Sequence, residues 1–316
     1  MSVICFGEAL VDFLSDGKKP ESFTKYAGGA PANVAVAVAK QGIKASFCGM
    51  FGEDMFADFL LRELSDHGVN TQYCRRTNKA KTALAFISLD KKGERNFSFY
   101  RPPAADLLFR TEDFDPEVFI NHTILHVCSN SLTETNIYKT TIYALNQAKK
   151  YDILCSFDMN LRLHLWPSQR YIIERLWHVI ALSDIVKLSQ EELDFLHQHS
   201  HGEHGQDKTI SAILAANTQC VIVTDGEKPI QYYTSSNQGQ VLPSHVTAID
   251  TTAAGDAFVG GFLSQLAKHT SPLQVMADEL TLVKAISYAS KCGAHAVTIK
   301  GAFGSMPSAQ QIDQDL

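Results

Sequence analysis

No apolar segment of this chain approaches the roughly 20 residues that a membrane-spanning helix requires. Internal repeats and low-complexity tracts are missing as well, which excludes solenoid arrays and leaves nothing to suggest disorder. Basic charge is in short supply. The chain carries 28 Lys and Arg against 34 Asp and Glu, a formal net charge of −6. The cations are scattered, so there is no basic face for nucleic acid or an anionic membrane, and any polyphosphate site must be built locally. Cys-x-x-Cys does not occur. The cysteines, Cys5, Cys48, Cys74, Cys128, Cys155, Cys220 and Cys292, are odd in number and mostly lie in apolar runs, as reduced core residues would. Finally, no basic segment precedes the first apolar run, and Glu8 and Asp12 follow it closely, unlike a secretory signal. These absences predict a cytoplasmic protein.

What is present is a core-forming composition, 45% hydrophobic and 20% charged over 316 residues, which suits one large α/β domain or two small ones. Residues 3–6 read as a buried strand, with Asp12 at or just beyond its carboxyl end, where open α/β sheets bind ligands. Pro31 in a first turn and Gly42 as a stop predict a helix over 31–41. A strand at 45–50 and a helix at 54–67 follow. Residues 82–89 and 96–101, joined by 90–95, predict a hairpin, most simply a β lid outside the main sheet. From 123 onward the chain alternates. Strands are expected near 124–128, 153–158, 185–188 and 220–224, and helices near 134–150, 168–181, 190–197 and 208–216, as a doubly wound sheet requires. A helix over 283–295 and a last strand and turn over 296–302 close the chain. His197, His199, His201 and His204 crowd a polar loop, but their spacing follows no helical face and is read as loop polarity rather than a metal site.

One stretch stands out: Asp250-Thr251-Thr252-Ala253-Ala254-Gly255-Asp256-Ala257-Phe258, entering an apolar run that continues to His269 as a buried helix. The first turn of a helix leaves N–H groups without intrahelical partners and carries about half a positive charge. Ala253, Ala254 and Gly255 have no side chain bulky enough to keep a phosphate from those groups. Asp256 adds a carboxylate able to accept a proton from an attacking hydroxyl. An ordinary helix start explains the same residues, with Thr251 or Thr252 as N-cap and Asp256 complementing the dipole for ~0.3–1 kcal/mol. These nine residues alone leave both readings open.

Asp-Thr-Thr-Ala-Ala-Gly-Asp resembles the signature of the ribokinase-like (PfkB) sugar kinases, and the resemblance extends over nearly the whole chain. It implies a three-layer α/β/α sandwich with a mostly parallel central sheet and a small β-sheet lid. The chain, 1–316, would form a single kinase domain, with the lid contributed by about 12–27 and 82–108. Asp256 would be the catalytic base and the backbone of Ala253, Ala254 and Gly255 the anion hole. Gly7-Glu8 followed by Asp12 matches the family's sugar-hydroxyl motif, and Gly28-Gly29 with Asn33 matches its amino-terminal signature for contacting the sugar. The segment Gly93-Glu94-Arg95 to Phe99-Tyr100-Arg101 is similar to fructokinase lids, which implicates Arg101, although Ala104 replaces a usual Ser. Asp158-Met159-Asn160-Leu161-Arg162 resembles the Asp-x-Asn-x-Arg of fructokinases and 2-keto-3-deoxygluconate kinases, with Met159 for a usual Pro. From its residues alone, a structural Asp-Arg pair is as good a reading as a site edge at Asn160 and Arg162.

On the nucleotide side, Lys187-Leu188-Ser189 with Glu192 resembles the family's Asn-x-x-Glu, whose Glu serves magnesium through water. A Ser N-cap with acids in the first turn fits equally. Thr224 and Gly226 would lie beside ATP, with Pro229 where a Gly is common, and Ala285 and Ala289 would flank adenine. Asp250 and Thr252, with Ala296, Ile299, Gly301 and Ser305, match a potassium site. The implied activity is ATP-dependent phosphorylation of a free sugar, D-fructose to fructose 6-phosphate, with ATP, magnesium and potassium as cofactors and a homodimer through the lid. 2-Keto-3-deoxygluconate or ribose are alternative substrates, and a catalytically silent sugar sensor is the alternative outside the class.

Overall fold

The structure is a computed structural model that describes residues 1–18, 20–89, 95–101, 103–200 and 206–314. Strand β1 (Ser2–Phe6) sits inside a 9-stranded sheet. Its residues alternate between two cores: Val3 and Cys5 pack on one face, Ile4 and Phe6 on the other. A strand covered on both sides must be apolar throughout, which is why 3–6 shows no polar alternation.

The lid is the 4-stranded sheet β3-β2-β6-β7. It comprises β2 (Leu10–Ser15), β3 (Phe23–Gly28), β6 (Leu84–Leu89) and β7 (Arg95–Tyr100). Asp12 therefore lies within lid strand β2 rather than at the end of β1, where the strand reading put it; the lid range of about 12–27 already contained it. The expected hairpin forms, β6 pairing antiparallel with β7, while its connection at 90–94 lies outside the described residues. After the lid the chain returns to the main core through a buried 3-10 turn, Ala105–Leu108.

The large sheet runs β13-β12-β11-β10-β9-β8-β1-β4-β5. Its members beyond β1 are β4 (Lys44–Gly52), β5 (Cys74–Thr77), β8 (Ile124–Cys128), β9 (Leu154–Asp158), β10 (Ile185–Ser189), β11 (Cys220–Thr224), β12 (Ile230–Tyr233) and β13 (Gln238–Val241). All pairings are parallel except those of β12 and β13.

Helices α1 (Ala30–Lys40), α2 (Met55–Asp66), α7 (Ala254–Ala267), α8 (Pro272–Ala277) and α9 (Glu279–Ala296) bury their apolar residues in one core. Helices α3 (Thr135–Lys150), α4 (Ile172–Ile180), α5 (Gln190–Ser200) and α6 (Gln206–Ala215) do so in the other, and α10 (Ala309–Gln314) closes the chain. The expected last strand over 296–302 is absent. α9 instead unwinds through turns, Val297 N–H donating to Gly293 O and Ile299 N–H to Ala296 O, and Val297 O accepts from the N–H groups of Ile249 and Asp250. β12 and β13 pair as a hairpin after Pro229, while β5, α8 and α10 had no counterpart in the sequence reading.

Candidate active site

Gly260 and Gly261 let α7 lie against its neighbours: a Cβ on Gly260 would come within 2.3 Å of the Ala37 Cβ, and one on Gly261 within 3.1 Å of the Ala289 Cα. This contact fixes where the first turn of α7 points. Its N-cap, Ala253, adopts the left-handed conformation (φ 61°, ψ 10°) and offers no side-chain cap of its own. The N-cap position is thus held by Ala253 rather than by Thr251 or Thr252. Asp250 holds the approach instead, its Oδ1 accepting from Thr252 N–H at 2.8 Å and its Oδ2 from Gly301 N–H at 3.1 Å. The uncapped N–H groups face a cleft of about 860 Å³.

Asp256 lies in that first turn, 8% exposed, and its Oδ2 accepts from Asn33 Nδ2 at 2.7 Å across from α1. Burial pushes its carboxyl up to about 7, with the bond from Asn33 acting in the opposite sense. The Lys187 ammonium stands next to the first turn of α7, 3.0 Å from where a Gly255 Cβ would be. It is bonded to Asp158 at 3.1 Å, between β9 and β10. Burial alone would lower its pKa, but Asp158 and Glu192 outweigh that and hold it raised. Asp158 thus pairs with Lys187, not with Arg162 as the Asp-Arg reading had it.

Ser189 and Glu192 form a capping box at the start of α5: Glu192 Oε2 accepts from Ser189 N–H at 2.8 Å, and Glu192 N–H donates to Ser189 Oγ at 3.2 Å. Glu192 Oε1 accepts from Leu161 N–H at 2.6 Å, which ties the β9 loop to α5. In that loop Asn160 is held at φ 36°, a conformation that non-glycine residues seldom adopt.

On the lid side, Gly28 makes room for Asp12, since a Cβ there would sit 2.4 Å from Asp12 Oδ2. Arg101 is buried and committed inward: its guanidinium bonds Asp106 Oδ2 at 2.6 Å through Nη2 and 2.7 Å through Nε, and also Asn130 O at 2.9 Å. Asn130 Nδ2 in turn donates to buried Glu8 at 2.9 Å. Burial raises Glu8, with Arg101 and Asn130 pulling it part of the way back.

The cleft brings together Asp12, Gly29, Asn33, Arg101, Asn160, Arg162, Lys187, Ser189, Glu192, Thr224, Gly226, Thr252 and the run from Ala253 to Asp256. Ala285 and Ala289 do not line it; they sit buried in the core of α9. Of the expected potassium residues, Asp250, Thr252 and Gly301 are joined by the bonds above. Ala296 is buried, Ile299 is 38% exposed, and Ser305 Oγ donates to Ala302 O at 2.8 Å. His197 Nδ1 lies 3.0 Å from Thr209 Oγ1 and His199 Nδ1 2.8 Å from Phe195 O; His201 and His204 fall outside the described residues. The cleft also contains Asn130 and His164, which the sequence reading missed. Asn130 follows β8 at the carboxyl edge of the sheet, and that position was its only signal.

The cleft joins the first turn of a helix, a lysine and a buried carboxylate, the kinds of group that phosphoryl transfer calls for. Residues 1–309 match the family model described as pfkB family carbohydrate kinase. The chain is 40% identical to probable fructokinase-5 of Arabidopsis thaliana over 312 residues, 97% of this chain and 94% of that protein. Its structure superposes on the fructokinase of Xylella fastidiosa with bound ATP at a TM-score of 0.95 and 43% identity, covering 99% and 97% of the two chains. A double mutant of the Vibrio cholerae O395 fructokinase, in its fructose, ADP and potassium ion bound form, gives 0.90 and 34%, covering 99% and 97%. The chain belongs to the pfkB family of carbohydrate kinases and has the ribokinase-like fold.

Proposed function

We propose that this sugar kinase transfers the γ-phosphoryl group of ATP to the 6-hydroxyl of D-fructose, with Asp256 as general base. The observation that carries the reading is Asp256 itself, buried in an uncapped first turn, with a carboxyl raised to about 7 and fixed by Asn33. The sugar oxygen attacks the γ-phosphorus and gives its proton to Asp256, the bond to the bridging oxygen breaks, and ADP departs. The N–H groups at Ala253, Ala254 and Gly255 stabilise the charge on the transferred group, and Lys187 that on the phosphates. Among the described residues Asn33 Oδ1 and Asn130 Oδ1 are buried without a partner, acceptors suited to sugar hydroxyls alongside Asp12 and Gly29.

Three carboxylates, Asp158, Glu192 and Asp256, act on the single Lys187 ammonium. A polyphosphate entering beside them needs further positive charge, which a magnesium ion held through water near Glu192 would supply. Asp250, Thr252 and the turn from Ala296 to Gly301 are the residues that would hold potassium, next to the anion hole. The exposed Phe23 and Tyr100 on the lid suit a homodimer through that sheet, and seven free cysteines suit a reducing cytoplasm.

Fructose is favoured over 2-keto-3-deoxygluconate because a sugar acid needs a carboxylate clamp, and Arg101 is already spent on Asp106. ADP release measured over fructose, ribose, 2-keto-3-deoxygluconate and other sugars tests this. Fructose should give the highest kcat/KM, and preference for an acidic sugar would overturn it.

A further inference from the structure

Away from the cleft, the last turn of α7 and the outer side of α9 enclose a second cavity of about 520 Å³. Gln265 and His269 line it from α7 and just beyond, and Thr281, Lys284, Tyr288 and Lys291 from α9. These four positions recur at intervals of three and four and so form one stripe. Lys284 and Lys291 stand two turns, roughly 10 Å, apart along it. Lys268 adds a third ammonium at the rim, 5.1 Å from the Tyr288 ring centroid.

Solvated surface lysines account for cations on a helix face, but four further features do not fit that account. No residue lining the cavity is acidic. Neither Lys284 nor Lys291 is held in a salt bridge among the described residues. Asp278, the carboxylate that feels Lys284, is engaged in capping α9, accepting from Thr281 N–H at 2.9 Å. Gln265 Nε2 is buried with no hydrogen-bond partner among the described residues, an arrangement that typically costs about 1–3 kcal/mol unless something satisfies it. Asp313 is close enough to act on Tyr288 but does not line the cavity, so a donor without an acceptor and ammonium groups with no lining carboxylate describe a receptor for an anion.

We infer that this cavity binds a compact phosphate-bearing anion through Lys284, Lys291 and the Gln265 amide. The site is separate from the cleft: α7 begins with the anion hole and ends here, 14 residues and roughly 20 Å on. It stands whichever sugar the cleft takes.

The test is lysine acylation of the intact protein, read peptide by peptide by mass spectrometry, with inorganic phosphate as the probe. At phosphate ten times its dissociation constant, labelling of Lys284 and Lys291 should fall about tenfold, the fraction of free site being 1/(1 + [L]/Kd). Sodium chloride at matched ionic strength should not protect them. Gln265→Met, which keeps the side chain's bulk, should weaken the protection while kcat for the sugar is unchanged. Unprotected lysines, equal protection by chloride, or protection indifferent to Gln265→Met would each overturn the inference. Lys187 is scored in the same experiment, so phosphate entering the cleft is recognised separately.

Discussion

Asn33 Nδ2 donates to Asp256 Oδ2 at 2.7 Å, joining α1 to α7 across 223 positions of sequence, while the oxygen of the same amide, Oδ1, has no partner among the described residues. One side chain thus orients the Asp256 carboxyl and offers an acceptor to whatever lies beside it. A carboxyl held this way, and buried, titrates near neutrality, as the proposed general base requires.

The first expectation is a pH profile. Asp256 must be ionised to accept a proton, and its carboxyl is raised by burial to about 7. The ionised fraction falls as pH drops through that value, so kcat/KM should decline about tenfold between pH 8 and pH 6, reporting the free enzyme. A profile flat from pH 5 to 8 would remove Asp256 as the titrating base.

Replacing the same residue separates chemistry from stability. In Asp256→Asn the amide oxygen can still accept from Asn33, yet no proton acceptor remains, so turnover should fall by ~10²–10⁴-fold. Stability moves the other way. A carboxyl at about 7 when folded, against ~3.9 unfolded, favours the fold at pH below ~4, and that contribution is lost as pH rises through 7. Above pH 7 the variant should therefore be the more stable protein, by at most a few kcal/mol, on the order of 4 for the full shift. The gap should close below pH ~4. Denaturation midpoints at three pH values decide it; a variant less stable than wild type at pH 8 would assign Asp256 a purely capping role.

Much of this site was legible because its signals are local. Ala253, Ala254 and Gly255 before an apolar run announce a helix start, and α7 begins at Ala254. Partners across parallel strands are another matter. Lys187 faces Asp158 because β9 and β10 align in register, 29 residues apart, and nothing near Asp158 in sequence betrays it; Arg162, close by, was the natural but wrong partner. Arg101 was recognised as lying at the site, yet its bond to Asp106 makes it part of the frame. Val297-Thr298-Ile299 has the β-branched composition of a strand. It forms none, because it lies where α9 unwinds against Asp250.

Arg101 is accordingly expected to matter first for folding. Its guanidinium is 2% exposed beside an equally buried Asp106, with Glu8 close enough to influence it. Removing the cation strands those carboxyls, and breaking such a pair costs about 3–5 kcal/mol. Arg101→Met should lower the urea midpoint by a corresponding amount, and Arg101→Lys should restore little, since one ammonium cannot reproduce the bonds to both Asp106 and Asn130 O. Wild-type stability in Arg101→Met, with only the KM for sugar raised, would return the residue to direct substrate contact.

A monovalent cation effect is expected next. Asp250 binds Thr252 N–H and Gly301 N–H, spanning the approach to the anion hole and the turn after α9. A cation seated there would add positive field beneath the cradle. Rates should rise when potassium replaces sodium at fixed ionic strength, and Asp250→Asn should blunt the difference. Equal rates in potassium, sodium and a large organic cation would discard the site.

Ala253 offers the most direct probe of the cradle. Its φ of 61° places a Cβ in the left-handed region, which costs an alanine roughly 1–2 kcal/mol that a glycine does not incur. Ala253→Gly relieves that strain but loosens the unfolded chain, a loss of about 0.4–1 kcal/mol. The net result should be unchanged or slightly higher stability with kcat retained, because the N–H groups keep their places. Ala253→Val meets the opposite fate, since a β-branched residue tolerates this conformation worst, and both stability and kcat should fall. Gly255→Ala acts differently again. Its Cβ would arrive 3.0 Å from the Lys187 ammonium, so the fold should survive while the KM for ATP rises as the lysine is pushed from the phosphates. If Ala253→Gly instead destabilised the protein by more than about 1 kcal/mol, the unfolded-state cost would exceed the strain, and the left-handed turn could not be what positions the anion hole.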